Sequence, residues 1–167
     1  MPSSDSTVST PVEIERKFLV TGEGWRDDAR SEAIAQGYFA TGDDCSVRVR
    51  IRGEHAFLTI KGPSRGGVRA EFEYPIPLDH ARAMLRQFCG GRMIAKRRYS
   101  LAHAGRTWTV DAFEGPLAGL LLAEVELDHP DQPVALPPWL GREVTDDPRY
   151  LNSALARAEA PPREWAD

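Results

Sequence analysis

The sequence predicts an α+β chain that is mainly β: an antiparallel meander of about eight strands with flanking helices, whose interior is charged if the sheet curls into a closed antiparallel barrel. Three observations predict it. Apolar and polar residues alternate with period two in one segment after another. Short turn sequences such as RGEH, GPSRGG and HAGR separate those segments, as in a meander of hairpins. Two stretches carry apolar residues at helical spacing, one in the middle and one near the end of the chain.

Residues 1–11, MPSSDSTVSTP, are small and polar. They lack the basic and apolar regions of a signal peptide and read as a disordered tail. The domain is expected over 12–160, with a C-terminal tail over 161–167. The first strand is VEIERKFLV (12–20), with Glu13, Glu15 and Lys17 on one face and Ile14, Arg16 and Phe18 on the other. AIAQGYFA (33–40), SVRVRIR (46–52), FLTIK (57–61), VRAEFEYPI (68–76), IAKRRYSLA (94–102), TWTVDAF (107–113) and LLAEVEL (121–127) repeat the pattern. Between them, PLDHARAMLRQFCGG reads as a helix with Asp79 as N-cap and Ala81, Met84, Leu85 and Phe88 as its apolar stripe, stopped by Gly90 and Gly91. A second helix is expected from Asp147 as cap and Pro148 in the first turn, with Leu151, Ala154, Leu155 and Ala158 facing inward. GWRDDARS is read as a short helical turn.

The polar faces of these strands are unusual. They carry Glu13, Glu15, Lys17, Arg48, Arg50, Lys61, Arg69, Glu71, Glu73, Lys96, Arg98, Asp111, Glu124 and Glu126. Any one such strand fits the wetted face of an ordinary antiparallel sheet. Surface strands, however, mix in Ser, Thr and Gln, whereas here nearly every strand supplies paired charges. Ile14, Phe18, Val47, Val49, Leu58, Ile60, Phe72, Tyr74, Val110 and Val125 give the opposite faces something to bury beneath helices or a partner subunit. A barrel turned this way puts its charges inside, which is tolerable only if opposite signs neutralise one another around water or a ligand.

Crowded carboxylates call for a hard divalent cation, Mg²⁺ or Mn²⁺ rather than zinc, with Glu13, Glu15 and Glu126 as first choices. Converging Lys and Arg call for a compact polyanion with several phosphoryl groups. Together they point to a metal–triphosphate ligand. The net charge of -4 and pI near 5.6 argue against a nucleic-acid partner held by general basic excess. Cys45 and Cys89 stand in no metal-type or disulfide-framework spacing, which fits a reducing cytoplasm, and no apolar run reaches the roughly 20 residues needed to span a bilayer. Outward apolar faces make a homodimer reasonable. His55, His80, His103 and His129 share no ligand spacing. Trp108, Phe113, Trp139 and Tyr150 read as core or interface, and Arg52, Arg65, Arg92 and Arg97 as surface charges; Glu143 or Arg149 is placed either at a tunnel mouth or in capping of the last helix.

In order along the chain, EIERKF, QGY, VRVR, LTIKG, RAEFEY, AKRRY, VDAFEG, LAEVEL and PPWLGREVTDDPRYLNSALA resemble the CYTH superfamily, the triphosphate tunnel metalloenzymes. The resemblance covers 12–156 and is strongest to the single-domain bacterial branch, whose members are mainly inorganic triphosphatases. It implies a tunnel with Glu13, Glu15 and Lys17 as signature triplet and two divalent ions, one bridging the substrate and one presenting water. Glu13, Glu15, Glu124 and Glu126 match the family's acidic positions, while Glu71, Glu73 and Asp111 are second-rank candidates for the second metal. Lys17, Arg48, Arg50, Lys61, Arg69, Lys96 and Arg98 match its phosphate binders, and Tyr38 with Lys96 its proton-handling pair. The expected activity is hydrolysis of inorganic triphosphate to pyrophosphate and phosphate. Adenylate cyclase of the class IV type, thiamine triphosphatase, nucleoside triphosphatase and a non-enzymatic polyphosphate-binding module are the alternatives. A binding module could discard the acids; this chain keeps both sets.

Overall fold

The structure, a computed structural model, describes residues 9–164. Eight strands form the barrel: β1 Val12–Val20, β2 Arg30–Tyr38, β3 Ser46–Arg52, β4 His55–Lys61, β5 Val68–Ile76, β6 Met93–His103, β7 Arg106–Phe113 and β8 Leu121–Glu126. They run in the order β5-β4-β3-β2-β6-β7-β8-β1, every pair antiparallel, and the ring closes where Val12–Ile14 of β1 meets Ala70–Val68 of β5. Closure gives each strand one inner and one outer face, with the later half of β1 left free on its β5 side to take a further strand. A short ninth strand, β9 Leu140–Glu143, lies along the later half of β1, with Val20 opposite Leu140. Its four residues, LGRE, carry no alternation that would announce it.

Two apolar clusters sit outside the barrel wall. One holds Phe18, Trp108, Val110, Ala123 and Val125 under Trp25, Leu127 and Trp139 from the flanking loops. The other holds Val49, Ala56, Ala81, Leu85 and Cys89, where α1 (Leu78–Phe88) lies across β2, β3 and β4. Trp108 and Trp139 are thus core residues. Asp79 does not cap α1: Pro77 occupies the N-cap position with no side-chain hydrogen bond, leaving Asp79 in the first turn, where the helix dipole favours an acid. Arg92 is no mere surface charge, since its guanidinium donates to the carbonyls of Phe88 and Tyr38 and closes the end of α1.

A third cluster lies inside, at one end. Tyr38, Ile94, Phe113 and Leu122 meet Val144, Tyr150, Leu155 and Ala156 of the C-terminal segment, with Leu19 packed against them. That segment is not the continuous helix expected. Asp147 accepts a hydrogen bond from the Arg149 amide and caps a 3₁₀ turn, Pro148–Tyr150; Leu151 is extended, and a single helical turn, α2 Asn152–Leu155, follows. The break lets Tyr150 and Leu155 both enter the barrel end, which a straight helix could not offer from one face. GWRDDARS forms turns rather than helix. Residues 1–8 of the expected N-terminal tail lie outside the described residues, while the Pro11 carbonyl accepts from the Glu71 amide. Of the expected C-terminal tail, 165–167 lie outside them; Arg163 and Glu164 are tied to Arg149, Arg142 and Tyr150. No helix among the described residues is long and apolar enough to cross a membrane.

Gly37, on the outer face of β2, sets how closely α1 approaches. A Cβ there would stand 2.6 Å from Cys89 Cβ and 2.8 Å from Leu85 Cδ2. Gly37→Ala is therefore expected to lower unfolding stability by about 1–3 kcal/mol, read from urea denaturation, because the helix has to lift off the sheet.

Candidate active site

Alternation along closed strands brings the predicted charges together in one interior. On β1, Glu15 lies opposite Glu126 and Lys17 opposite Glu124, while Glu13 faces Arg69 across the closing seam. Arg98 sits opposite Asp111, and Arg48 and Lys61 stand opposite Thr59 and Ser46. Lys17, Arg48, Arg50, Lys61, Lys96 and Asp111 are all buried.

Ion pairs link acids and bases around the wall. Lys61 Nζ donates to Glu13 at 2.6 Å, and Arg69 Nε donates to the same oxygen at 3.1 Å. Lys17 stands 3.4 Å from Glu124 and 3.8 Å from Glu15. Asp111 takes a two-pronged contact from Arg98 at 2.7 and 2.8 Å and one from Lys96 at 2.6 Å. Glu73 accepts from Thr59 and Arg48, and Glu71 stands 3.6 Å from Lys61. Glu126 has no ion pair among the described residues. Gly67, with φ +75°, gives its carbonyl to the Glu15 amide and lies so close to the Glu15 carbonyl that a Cβ would reach 2.4 Å from it. Glycine is required there to dock the β4–β5 loop on the signature strand.

The charge balance leaves two poles. Burial, the nearby Glu124 and Glu13 raise the Glu15 carboxyl to about 7 against the pull of Lys17, and burial with Glu13, Glu71 and Glu124 raises Glu126. At Glu124 burial pushes upward, yet Lys17, Arg98 and Lys96 hold it well below the carboxylate range. On the basic side, burial together with Arg48 and Arg98 lowers Arg50 to about 10. Burial, with Arg98 and Arg50 close by, lowers Lys96 to about 7 in spite of Asp111. Arg48 Nε is buried with no hydrogen-bond partner. An orphaned guanidinium nitrogen beside crowded arginines is what an anion would satisfy.

The acids fit a hard divalent cation by donor chemistry, since Glu15 and Glu126 repel their neighbours and offer carboxylate oxygen. No ready-made group of three or more acidic, His or Cys ligands exists among the described residues, because the carboxylates of Glu13, Glu15 and Glu124 turn toward Lys and Arg. Asp111 fits less well, as both its oxygens are occupied and it is 1% exposed. No hydrogen bond joins Tyr38 to Lys96 among the described residues: the Tyr38 hydroxyl accepts from Gln36 at 3.1 Å, and Lys96 is held by Asp111 and by Asn152 at 3.1 Å. Glu143 pairs with Arg16 outside the barrel and Arg149 with Asp147, so neither closes the mouth.

Gln36 and Asn152 were not singled out by sequence reasoning. Gln36 is fully buried and joins Tyr38 to Arg50 Nε, which donates to it at 2.9 Å. Its place on the inner parity of β2 was the available signal. Asn152 comes from the C-terminal plug, which no periodicity places in the interior.

The wide mouth, about 350 Å³, is lined by Glu32, Arg52, Arg98, Arg106, Glu124 and Glu126 among others. The opposite end narrows to a cavity of about 10 Å³ between Tyr38, Arg48, Lys61, Arg69, Asn152 and Ser153.

Comparison with known proteins adds four likenesses. The CYTH domain family model matches residues 11–156. The chain is 44% identical over 145 residues to an inorganic triphosphatase of Acetivibrio thermocellus, covering 87% of this chain and 93% of that protein. It is 40% identical over 151 residues to an inorganic triphosphatase of Nitrosomonas europaea, covering 86% and 96%. The crystal structure of the inorganic triphosphatase NE1496 superposes with a TM-score of 0.65 at 37% identity, covering 87% of this chain and 95% of that one.

A carboxyl raised on folding stabilises the protein below its ordinary value and loses that contribution as pH rises through its folded value. With Glu15 at about 7, metal-free protein is expected to lose about 1–3 kcal/mol between pH 5 and pH 8 from this group, and Glu15→Gln to flatten the loss. Urea unfolding at both pH values in chelator reads it; equal slopes for the two proteins would remove the raised carboxyl.

Proposed function

Because this chain belongs to the CYTH domain family, we propose that it is an inorganic triphosphatase, cleaving triphosphate to pyrophosphate and phosphate inside the barrel. The observation that carries this reading is the interior cluster of buried Arg48 and Arg50 with half-buried Arg98, Arg48 Nε unsatisfied, set in one barrel interior with Glu13, Glu15 and Glu126. The relatives in Acetivibrio thermocellus and Nitrosomonas europaea bear that activity in their names.

Lys17, Arg48, Arg50, Lys61, Arg69, Lys96 and Arg98 bind the phosphoryl oxygens. Glu13, Glu15, Glu124 and Glu126, with Glu71 and Glu73 as further candidates, would hold two Mg²⁺ or Mn²⁺ ions, which would supply Lewis-acid polarisation and a nucleophilic water. Asp111 serves the bases: it orients Lys96 and Arg98 and keeps their charge compensated. The guanidiniums neutralise charge that develops on the leaving pyrophosphate, so positioning and electrostatics supply most of the rate. Gln36 holds the Tyr38 hydroxyl and Arg50 in fixed relation, placing Tyr38 to move a proton at its phenolic oxygen. Trp108, Trp139, Phe113 and Tyr150 are buried in the apolar clusters and leave no free platform for a thiazolium or adenine ring, which favours the inorganic substrate. Unpaired Cys45 and Cys89 suit a reducing cytoplasm, and exposed Ile60 and Tyr74 on the outer wall suit a homodimer, which light scattering tests.

Purified protein with Mg²⁺ or Mn²⁺ is expected to release phosphate from tripolyphosphate faster than from ATP or thiamine triphosphate, to form no cyclic AMP, and to fall silent in chelator. Phosphate release from ATP alone would overturn the substrate. Tyr38→Phe is expected to lower kcat by roughly 10²–10⁴-fold with KM little changed, by initial-rate kinetics; unchanged kcat removes Tyr38 from the chemistry.

A further inference from the structure

Beyond the narrow end of the barrel lies a second, solvent-open cavity of about 250 Å³, lined by the β2–β3 loop, the β4–β5 loop and the C-terminal segment. Its wall offers the hydroxyls of Ser46, Ser64 and Ser153 and the guanidiniums of Arg69 and Arg157, against one acid, Asp43, while Thr41 donates its hydroxyl to the Cys45 carbonyl. Arg157 is exposed, and its guanidinium has neither an ion pair nor a hydrogen bond among the described residues. The wide mouth, by contrast, balances Arg52, Arg98 and Arg106 with Glu32, Glu124 and Glu126, and so carries no excess for an anion. Ser46, Arg69 and Ser153 line both the second cavity and the constriction of about 10 Å³ that leads to Arg48 and Lys61. That constriction has room for about one water and not for a phosphate group, so the two spaces are separate sites with a shared wall.

We propose that this vestibule is a second oxyanion site, distinct from the interior one, whose ligand is orthophosphate. A guanidinium fork ringed by hydroxyl donors matches a tetrahedral oxyanion, and an arginine without a carboxylate partner gives up no ion pair to bind it. The choice of orthophosphate rests on the triphosphatase reading, because that reaction generates it inside the same barrel. Arg69 belongs to both spaces: its Nε is held by Glu13, and Nη2 stands 3.8 Å from Glu15.

Cys45 is exposed and lines the vestibule, whereas Cys89 is buried, so a trifluoromethyl thiol label can be placed on Cys45 alone. Full-length labelled protein is titrated with inorganic phosphate and followed by ¹⁹F NMR. A saturable shift is expected, its apparent Kd weakened about fivefold or more in Arg157→Gln and retained in Arg157→Lys, with thermal unfolding of the variants unchanged. Absence of a saturable shift, or an Arg157→Gln titration that overlays the native one, overturns the proposal. Tripolyphosphate turnover is measured on the same samples: a saturable, Arg157-dependent shift without turnover sinks the triphosphatase reading alone, and turnover without the shift sinks the vestibule alone.

Discussion

A barrel interior lined with ionised groups exists only if its charges compensate one another, and this requirement governs the rest of the molecule. Taking a carboxylate or an ammonium out of water is costly unless a partner stands close. The strands meet that demand by register: Glu13 faces Arg69, Lys17 faces Glu124, Arg98 faces Asp111 and Lys61 faces Glu71. A slip by one residue in any strand would turn its charges into the outer apolar clusters and its apolar residues into the cavity, so the same pairs that neutralise the interior also fix the pairing. Compensation is incomplete in two places, the raised carboxyls of Glu15 and Glu126 and the crowded guanidiniums around Arg50. Those residual imbalances, opposite in sign and inside one barrel, are where a cation and a polyanion lower the energy together.

The barrel is unlike itself at its two ends. Toward the β6–β7 turn the inner positions are Glu126, Thr109 and Ser100, open to a polar mouth. Toward the other end the same inner parity places Leu19, Leu122, Phe113, Ile94 and Tyr38, which could not face water without loss. The C-terminal segment covers them, fixed to β1 by the Val144 amide donating to the Lys17 carbonyl and by Thr145 accepting from the Lys17 amide. Arg163 and Glu164, beyond the segment, secure it from outside through Arg149, Arg142 and Tyr150. A ring that looks like a through-tunnel from its strand order is, in its side chains, a cup with a constricted floor.

Strand existence and the inward set of charges were legible, because period-two alternation is a local signal and β1 to β8 follow it closely. The family was legible for the same reason, since its motifs are those inward charges. What escaped depended on tertiary company. β9 has four residues and forms only because β1 offers an unpaired edge beyond Phe18. The second helix has the composition of a continuous helix, but burying both Tyr150 and Leu155 in one barrel end broke it after Tyr150. Asp79 had the chemistry of an N-cap, while Pro77 at the strand–helix junction starts α1 two residues earlier. The floor was invisible because Leu19, Ile94, Phe113 and Leu122 come from different strands, and only their convergence at one depth makes them a core.

The floor is also part of the chemistry. Two interior lysines depend on it: Lys17 Nζ donates to the Tyr150 carbonyl at 3.2 Å, and Lys96 Nζ to Asn152 Oδ1 at 3.1 Å. Both acceptors are neutral, and that matters. Lys96 is fully enclosed with Asp111, so an apolar residue at 152 would leave the ammonium with a single acceptor in a dry pocket. A carboxylate at 152 would instead add another negative charge where Asp111 already sits, competing with substrate phosphate for the same ammonium. An amide oxygen satisfies the hydrogen bond and leaves the positive charge unspent. The segment that seals the apolar end therefore also sets the aim of the lysines, and folding of the last turn is a condition for the basic pole to be complete.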